Sequence, residues 1–122
     1  MLRNDFFELL NLQGVQNELT ALVLLNKEHL IYQGHFPGQP VVPGVCMIQI
    51  MKEILEFKLD LKLRLASANQ VKFLKLIDPK DTPELSLALN WQEINGQLAV
   101  TASFKDKDVY IFKFQGVFSF FG

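Results

Sequence analysis

Three groups that can do chemistry together stand close in one segment, YQGHFPGQPVVPGVCMIQIMKEIL, residues 32–55. They are a histidine, a proline-glycine pair, and a glutamine a little over one helical turn later. His35 can accept or release a proton near neutral pH. Pro43-Gly44 immediately precedes an apolar run of helical spacing, so the first amides of that helix lack intrahelical acceptors. They lie at the positive end of the helix dipole and can polarise a carbonyl oxygen. Gly44 has no Cβ, which allows a bound group to approach its backbone. Such a set suits removal of a proton from the carbon beside a polarised carbonyl. The plainer alternative is that His35 caps a strand while the prolines shape a loop, and the residues alone leave that the simpler reading.

The elements that must hold these groups follow from patterning. Asn4 or Asp5 can cap a short helix, DFFELLNL, ending at Gly14. NELTALVLL reads as a buried strand and, across a turn at residues 26–27, EHLIYQGHF reads as its hairpin partner, with His29 on the surface. From Val45 onward Met47, Ile48, Met51, Ile54 and Leu55 form a nearly all-apolar helix. Gln49 interrupts it, and Lys52, Glu53 and Glu56 continue a polar stripe on which Glu53 begins the wet face. LDLKLRL alternates with period two, although the helix could run into it, and ANQVKFLKLIDPKD is a strand closed at Asp78-Pro79. ELSLALNWQEI, QLAVTASFK and VYIFKFQGVFSF complete an antiparallel meander, with turns at Asn95-Gly96 and at residues 106–108. One buried helix against a curved antiparallel sheet is an α+β arrangement, with residues 1–122 as a single domain.

Composition narrows the functions. Hydrophobic residues make up 49% of the 122, with eleven Phe; so apolar a small chain needs a large subunit interface or an internal apolar pocket. The net charge is −1 and the twelve Lys and Arg are scattered, which argues against a nucleic-acid groove. A single cysteine, Cys46, excludes an intrachain disulfide. No apolar run reaches membrane-spanning length, and Asp5 and Glu8 interrupt the N-terminal apolar stretch, so a cytoplasmic protein without leader or membrane span is expected. Two distant histidines and one cysteine lack metal-ligand spacing, no nucleotide motif is present, and no cofactor is expected. Cys46 near the helix start could be a nucleophile, but reads more simply as packing or tunnel lining. Trp91 and Phe112, Phe114, Phe118, Phe120 and Phe121 read as core and interface.

The spaced set His35, Phe36, Pro37, Gly38, Pro40, Pro43 and Gly44, within GHFPGQPVVPGV, resembles the signature of the 3-hydroxyacyl-[acyl-carrier-protein] dehydratases, which have the hot-dog fold. VKFLKLIDPKD is similar to a later strand and turn of that family. The resemblance implies a helix wrapped by a sheet, with two subunits joining sheets and active sites at their interface. It makes His35 the base that takes the α-proton of a 3-hydroxyacyl thioester and the Gly44 amide the holder of the thioester carbonyl. Phe36, Pro43 and Val45 would line the substrate site, with the acyl chain in an apolar tunnel.

The family carboxylate that assists loss of the hydroxyl falls at Gln49, making His35 and Gln49 the candidate catalytic pair. Glutamine matches glutamate in length but cannot donate an acid proton, and general acid catalysis contributes about 10²–10⁴-fold. Gln49 orienting the hydroxyl or a water, Glu53 supplying the acid one turn later, and acyl binding without turnover are the three accounts. A proline-rich entry segment is missing, and DPKD replaces a Pro-Gly-Asp turn. The resemblance further implies an acidic acyl carrier protein as partner, in fatty-acid or polyketide and polyene synthesis. Arg64, Lys72 and Lys75 are candidates for the receiving patch, the plainer alternative being ordinary solubilising charges. A homodimer or higher homo-oligomer, or a hetero-oligomer with an active relative, is expected. A non-catalytic acyl-binding or partner subunit and an acyl thioesterase are the alternatives.

Overall fold

The computed structural model describes residues 2–32 and 41–121. Among them one long helix, α1 (Gly44–Leu59), packs with six strands: β1 (Phe7–Val15), β2 (Glu18–Leu25), β3 (Lys62–Phe73), β4 (Glu84–Ile94), β5 (Gln97–Asp106) and β6 (Val109–Phe121). The strands form one sheet in the order β1-β2-β4-β5-β6-β3, every neighbouring pair antiparallel. The helix enters the chain between β2 and β3, which lie far apart in the sheet. This is the helix-in-sheet arrangement of the hot-dog fold.

Helix burial explains why the sequence shows almost no polar face. Ile50, Met51, Ile54 and Leu55 are fully buried, in one cluster with Phe104, Phe112, Phe114 and Phe118 from the inward faces of β5 and β6. Trp91 joins this core, and Phe120 is partly buried against it. The helix ends where Asp60 adopts a left-handed conformation (φ 54°, ψ 46°), which Asp tolerates better than most residues. Glu56 then receives the chain: its carbonyl accepts from the Leu61 amide at 3.3 Å and its Oε2 from Leu63 at 2.8 Å. LDLKLRL is thereby divided between the helix end and β3.

The turns of the meander follow their residues. Asn95 and Gly96 both take positive φ, 52° and 76°, closing a two-residue hairpin between Ile94 and Gln97. Lys107 (φ 55°) does the same between Asp106 and Val109.

Two expected elements differ. The N-terminal helix is instead strand β1, hairpinned to β2 through Gln16-Asn17. A register shift between Leu9 and Asn11 breaks the period-two alternation, leaving Phe7, Leu9 and Leu12 at spacing that mimics a helix. The second change concerns EHLIYQGHF. Residues 26–32 form a turn and a single 3-10 turn, Leu30–Tyr32, while β2 pairs with β1 and β4; residues 33–36 of that expected strand lie outside the described residues. Side chains redirect the backbone here. Asn26 Oδ1 accepts from the Glu28 amide at 3.0 Å, and His29 Nδ1 accepts from Ile31 at 3.1 Å. His29 is correspondingly not a surface residue: its side chain is 17% exposed, Nε2 lies 3.1 Å from Asp5 Oδ2, and its ring meets Phe6 edge-on at 5.2 Å.

Candidate active site

The site is organised by the start of α1. Pro43 is the N-cap residue (φ −64°, ψ 141°) and no side chain caps the helix there. The Cys46 amide bonds back to the Pro43 carbonyl at 3.0 Å, and helix geometry leaves the Gly44 and Val45 amides without intrahelical acceptors. Their position is fixed from behind, where the Val42 amide donates to the Ile77 carbonyl at 2.9 Å. His35 and Phe36, the sequence neighbours on the other side, lie outside the described residues.

Gly44 has a reason other than close approach by a bound group. A Cβ built there runs into the Phe73 ring from the end of β3. Phe73 itself stacks at a tilt on Phe112, centroids 5.2 Å apart, and is 59% exposed. Val45, Phe73, Leu74 and Leu76 are exposed, an apolar rim on the helix start and the segment that covers it. Sequence reasoning assigned Gly44 and Val45 but missed Phe73, although its place in VKFLKL was part of the resemblance.

Behind the helix start sits Tyr32, buried, its hydroxyl without a hydrogen-bond partner among the described residues. Burial, with Cys46 and Asp78 adding charge repulsion, raises its phenol well above the ordinary value near 10, so it is a neutral donor. Burial also pushes up the Cys46 thiol, which supports packing rather than nucleophilic chemistry. Tyr32, too, escaped sequence reasoning, because an apolar-flanked tyrosine gives no signal of an unpaired hydroxyl.

Farther along α1, Gln49 is half-buried and its Nε2 donates to Glu53 Oε2 at 2.8 Å. Glu53 is not the start of a wet face. It is buried, and its oxygens also accept from the backbone amides of Leu2 at 2.8 Å and Arg3 at 2.9 Å. The N-terminal segment supplies the donors, which no helical pattern could show. Arg3 then lies over the Phe57 ring, 4.1 Å from its centroid, one turn beyond Glu53. Among the described residues its hydrogen bonds all come from donors, so it acts there as an acceptor.

The three docking candidates do not gather in one place. Arg64 pairs with Ser119 near the start of β3, whereas Lys72 stands directly across from Lys113 near its end, with Lys75 just beyond. Lys113 and Lys105 both rest on the Tyr110 ring, 4.3 and 4.4 Å from its centroid. Lys72, Lys113 and Tyr110 line one groove on the outer sheet face with Gln70, Asn90 and Ser103. Among the described residues no His, Cys, Asp and Glu cluster could hold a metal ion, and no helix is long and apolar enough to cross a membrane.

The wrapped helix and its six-stranded antiparallel sheet define a hot-dog fold. The sequence matches the model of the ApeI-like dehydratases over residues 12–113. The chain belongs to that family. It is 33% identical over 97 residues to the 3-hydroxyacyl-[acyl-carrier-protein] dehydratase FabZ of Lactobacillus helveticus, an alignment covering 72% of this chain and 64% of that protein. The chain thus spans somewhat less than two thirds of that relative's length. Its fold is similar to a chain of the dehydratase heterocomplex ApeI:P from Xenorhabdus doucetiae, with TM-score 0.74 at 23% identity, covering 93% of this chain and 97% of that one. A conserved protein of Pseudomonas aeruginosa matches with TM-score 0.67 at 13% identity, covering 96% and 90%.

Proposed function

We propose that the protein dehydrates 3-hydroxyacyl thioesters to trans-2-enoyl thioesters. The observation that carries this reading is the uncapped start of α1 at Gly44, held under Phe73 and following directly on the His35 segment. The thioester carbonyl takes the Gly44 and Val45 amides, which acidifies the neighbouring carbon. His35 removes the proton from that carbon. The electron pair forms the C2–C3 double bond, and the 3-hydroxyl leaves with the proton His35 has gained, as water. Gln49 holds the hydroxyl in line and takes no proton. Phe36, Pro43 and Val45 flank the acyl group, and the rest of the chain runs along the apolar rim.

The substrate arrives on an acyl carrier protein, consistent with the names of the curated relatives. Two copies join through β3, a sheet edge on which ten of twelve residues are exposed, and this brings Gln49 of one copy towards His35 of the other. Residues 1–122 form one domain of such an assembly, working in the cytoplasm. Hydrogen exchange at C2 of a 3-hydroxyacyl pantetheine thioester in deuterated water tests the chemistry. Exchange that disappears in His35→Ala supports it, and exchange unchanged in that variant removes it.

One observation favours a second reading. The Gln49 amide is already engaged by Glu53, so neither residue supplies an acid, and the Xenorhabdus neighbour is a heterocomplex. In that reading the chain binds the acyl group and completes the site of an active relative. Turnover only after mixing with such a relative supports it. The same engagement of Glu53 weighs against a thioesterase, which needs a carboxylate or activated water beside the helix start.

A further inference from the structure

We infer that Glu53 is a positioning residue for Gln49, fixing the orientation of its amide so that Oε1 is offered to the substrate hydroxyl as an acceptor. The inference rests on the dehydratase reading of the site. Glutamine's two ends differ chemically: Nε2 only donates and Oε1 only accepts. A carboxylate neighbour settles which end faces it, because turning the amide over would set Oε1 against Glu53 Oε2, oxygen to oxygen. The 2.8 Å contact therefore commits Nε2 to Glu53, and no partner for Oε1 is found among the described residues.

Glu53 can act as an anchor because it is itself immobilised. It is buried, and the Leu2 and Arg3 amides hold its two oxygens, Oε2 and Oε1 respectively. Arg3 is held in turn by its guanidinium on Phe57. The N-terminal segment thus sets Glu53, and Glu53 sets Gln49. An acceptor presented in this way takes a hydrogen bond from a 3-hydroxyl and gains nothing from an acyl chain that lacks it. The negative charge belongs at 53 and the neutral amide at 49, so an acid placed at 49 meets a like charge one turn away.

The test compares binding of a 3-hydroxyacyl pantetheine thioester with that of its 3-deoxy counterpart, in the full chain and its variants. The wild type is expected to prefer the hydroxylated ligand roughly fivefold to tenfold, the worth of one hydrogen bond. Gln49→Ala and Glu53→Gln should each abolish the preference while leaving deoxy binding intact. Adding Glu53→Gln to Gln49→Ala should change nothing more. Glu53→Asp, which keeps the charge but retracts it, serves if Glu53→Gln does not fold. In parallel, the Gln49 side-chain amide protons followed by NMR should lose a downfield, slowly exchanging signal in either Glu53 variant. A preference lost in Gln49→Ala but kept in both Glu53 variants, or an unmoved amide signal, overturns the positioning role while the dehydratase reading stands. A wild type that binds neither thioester overturns both.

Discussion

The ring of Phe73 occupies the space that a side chain at position 44 would need, so Gly44 and Phe73 form a matched pair at the helix start. The glycine is required by packing before any substrate arrives. Gly44→Ala should cost about 1–3 kcal/mol as an overpacked contact and displace the amides proposed to hold the carbonyl. Phe73→Leu in the same chain should restore most of the stability. Urea unfolding of the two single variants and the double variant checks this; additive losses would mean that the two residues are independent.

The buried hydroxyl of Tyr32 should be dispensable for stability. Because it has no partner among the described residues, Tyr32→Phe is expected to be neutral or stabilising by about 1 kcal/mol. The pH dependence has a definite sign. The folded-state phenol titrates above its ordinary value near 10, so between the two values the unfolded chain releases this proton first and stability falls as pH rises. Below pH 10 the contribution is fully present. Wild type should thus lose more stability than Tyr32→Phe above pH 10, and parallel curves would show that the hydroxyl is not in the environment described.

Glu53 should be among the least replaceable polar residues. Glu53→Ala leaves the Leu2 and Arg3 amides and the Gln49 Nε2 without their acceptor, at about 1–3 kcal/mol for each donor left buried. Denaturant unfolding should register a loss well above that of Glu56→Ala. An equal, small loss in both would mean that water satisfies these amides.

How much of this was legible beforehand follows from the range of the interactions. Helix α1, the Asn95-Gly96 turn and the meander were legible because apolar period and turn residues are local signals. The N-terminal strand was hidden by the bulge at Leu9–Asn11, and the 3-10 turn at Leu30–Tyr32 by Asn26 and His29 bonding to backbone. The spaced motif singles out position 49 as a candidate. Its contact with a buried Glu53 was not legible: what buries Glu53 is backbone fifty residues earlier in the chain, and side-chain pattern carries no record of which amides need an acceptor. Phe73 over Gly44 is likewise a contact between helix and strand that only the folded arrangement creates.

The outer-face lysines offer a separate check on carrier docking. Lys72 and Lys113 face each other directly across two strands, and like charges so placed cost about 0.2–1 kcal/mol. Lys72→Glu should hold or raise stability, yet weaken binding of an acidic carrier protein about tenfold and flatten its salt dependence. Adding Lys75→Glu should weaken it further. Reversal at Arg64, eight residues away along β3, should do less. Unchanged carrier affinity in the Lys72 and Lys75 variants, measured by calorimetry, would remove that face as the docking surface.

In the proposed reaction His35 and the helix start at Gly44 dehydrate a 3-hydroxyacyl thioester with Gln49 in place of an acid. The most direct measurement is steady-state interconversion of a carrier-linked 3-hydroxyacyl and 2-enoyl pair by wild type, His35→Ala and Gln49→Glu. Slow wild-type turnover, lost by 10²-fold or more in His35→Ala, is the predicted result. No wild-type turnover, with activity appearing in Gln49→Glu, would contradict this reaction and leave a scaffold that binds the acyl group or serves an active partner.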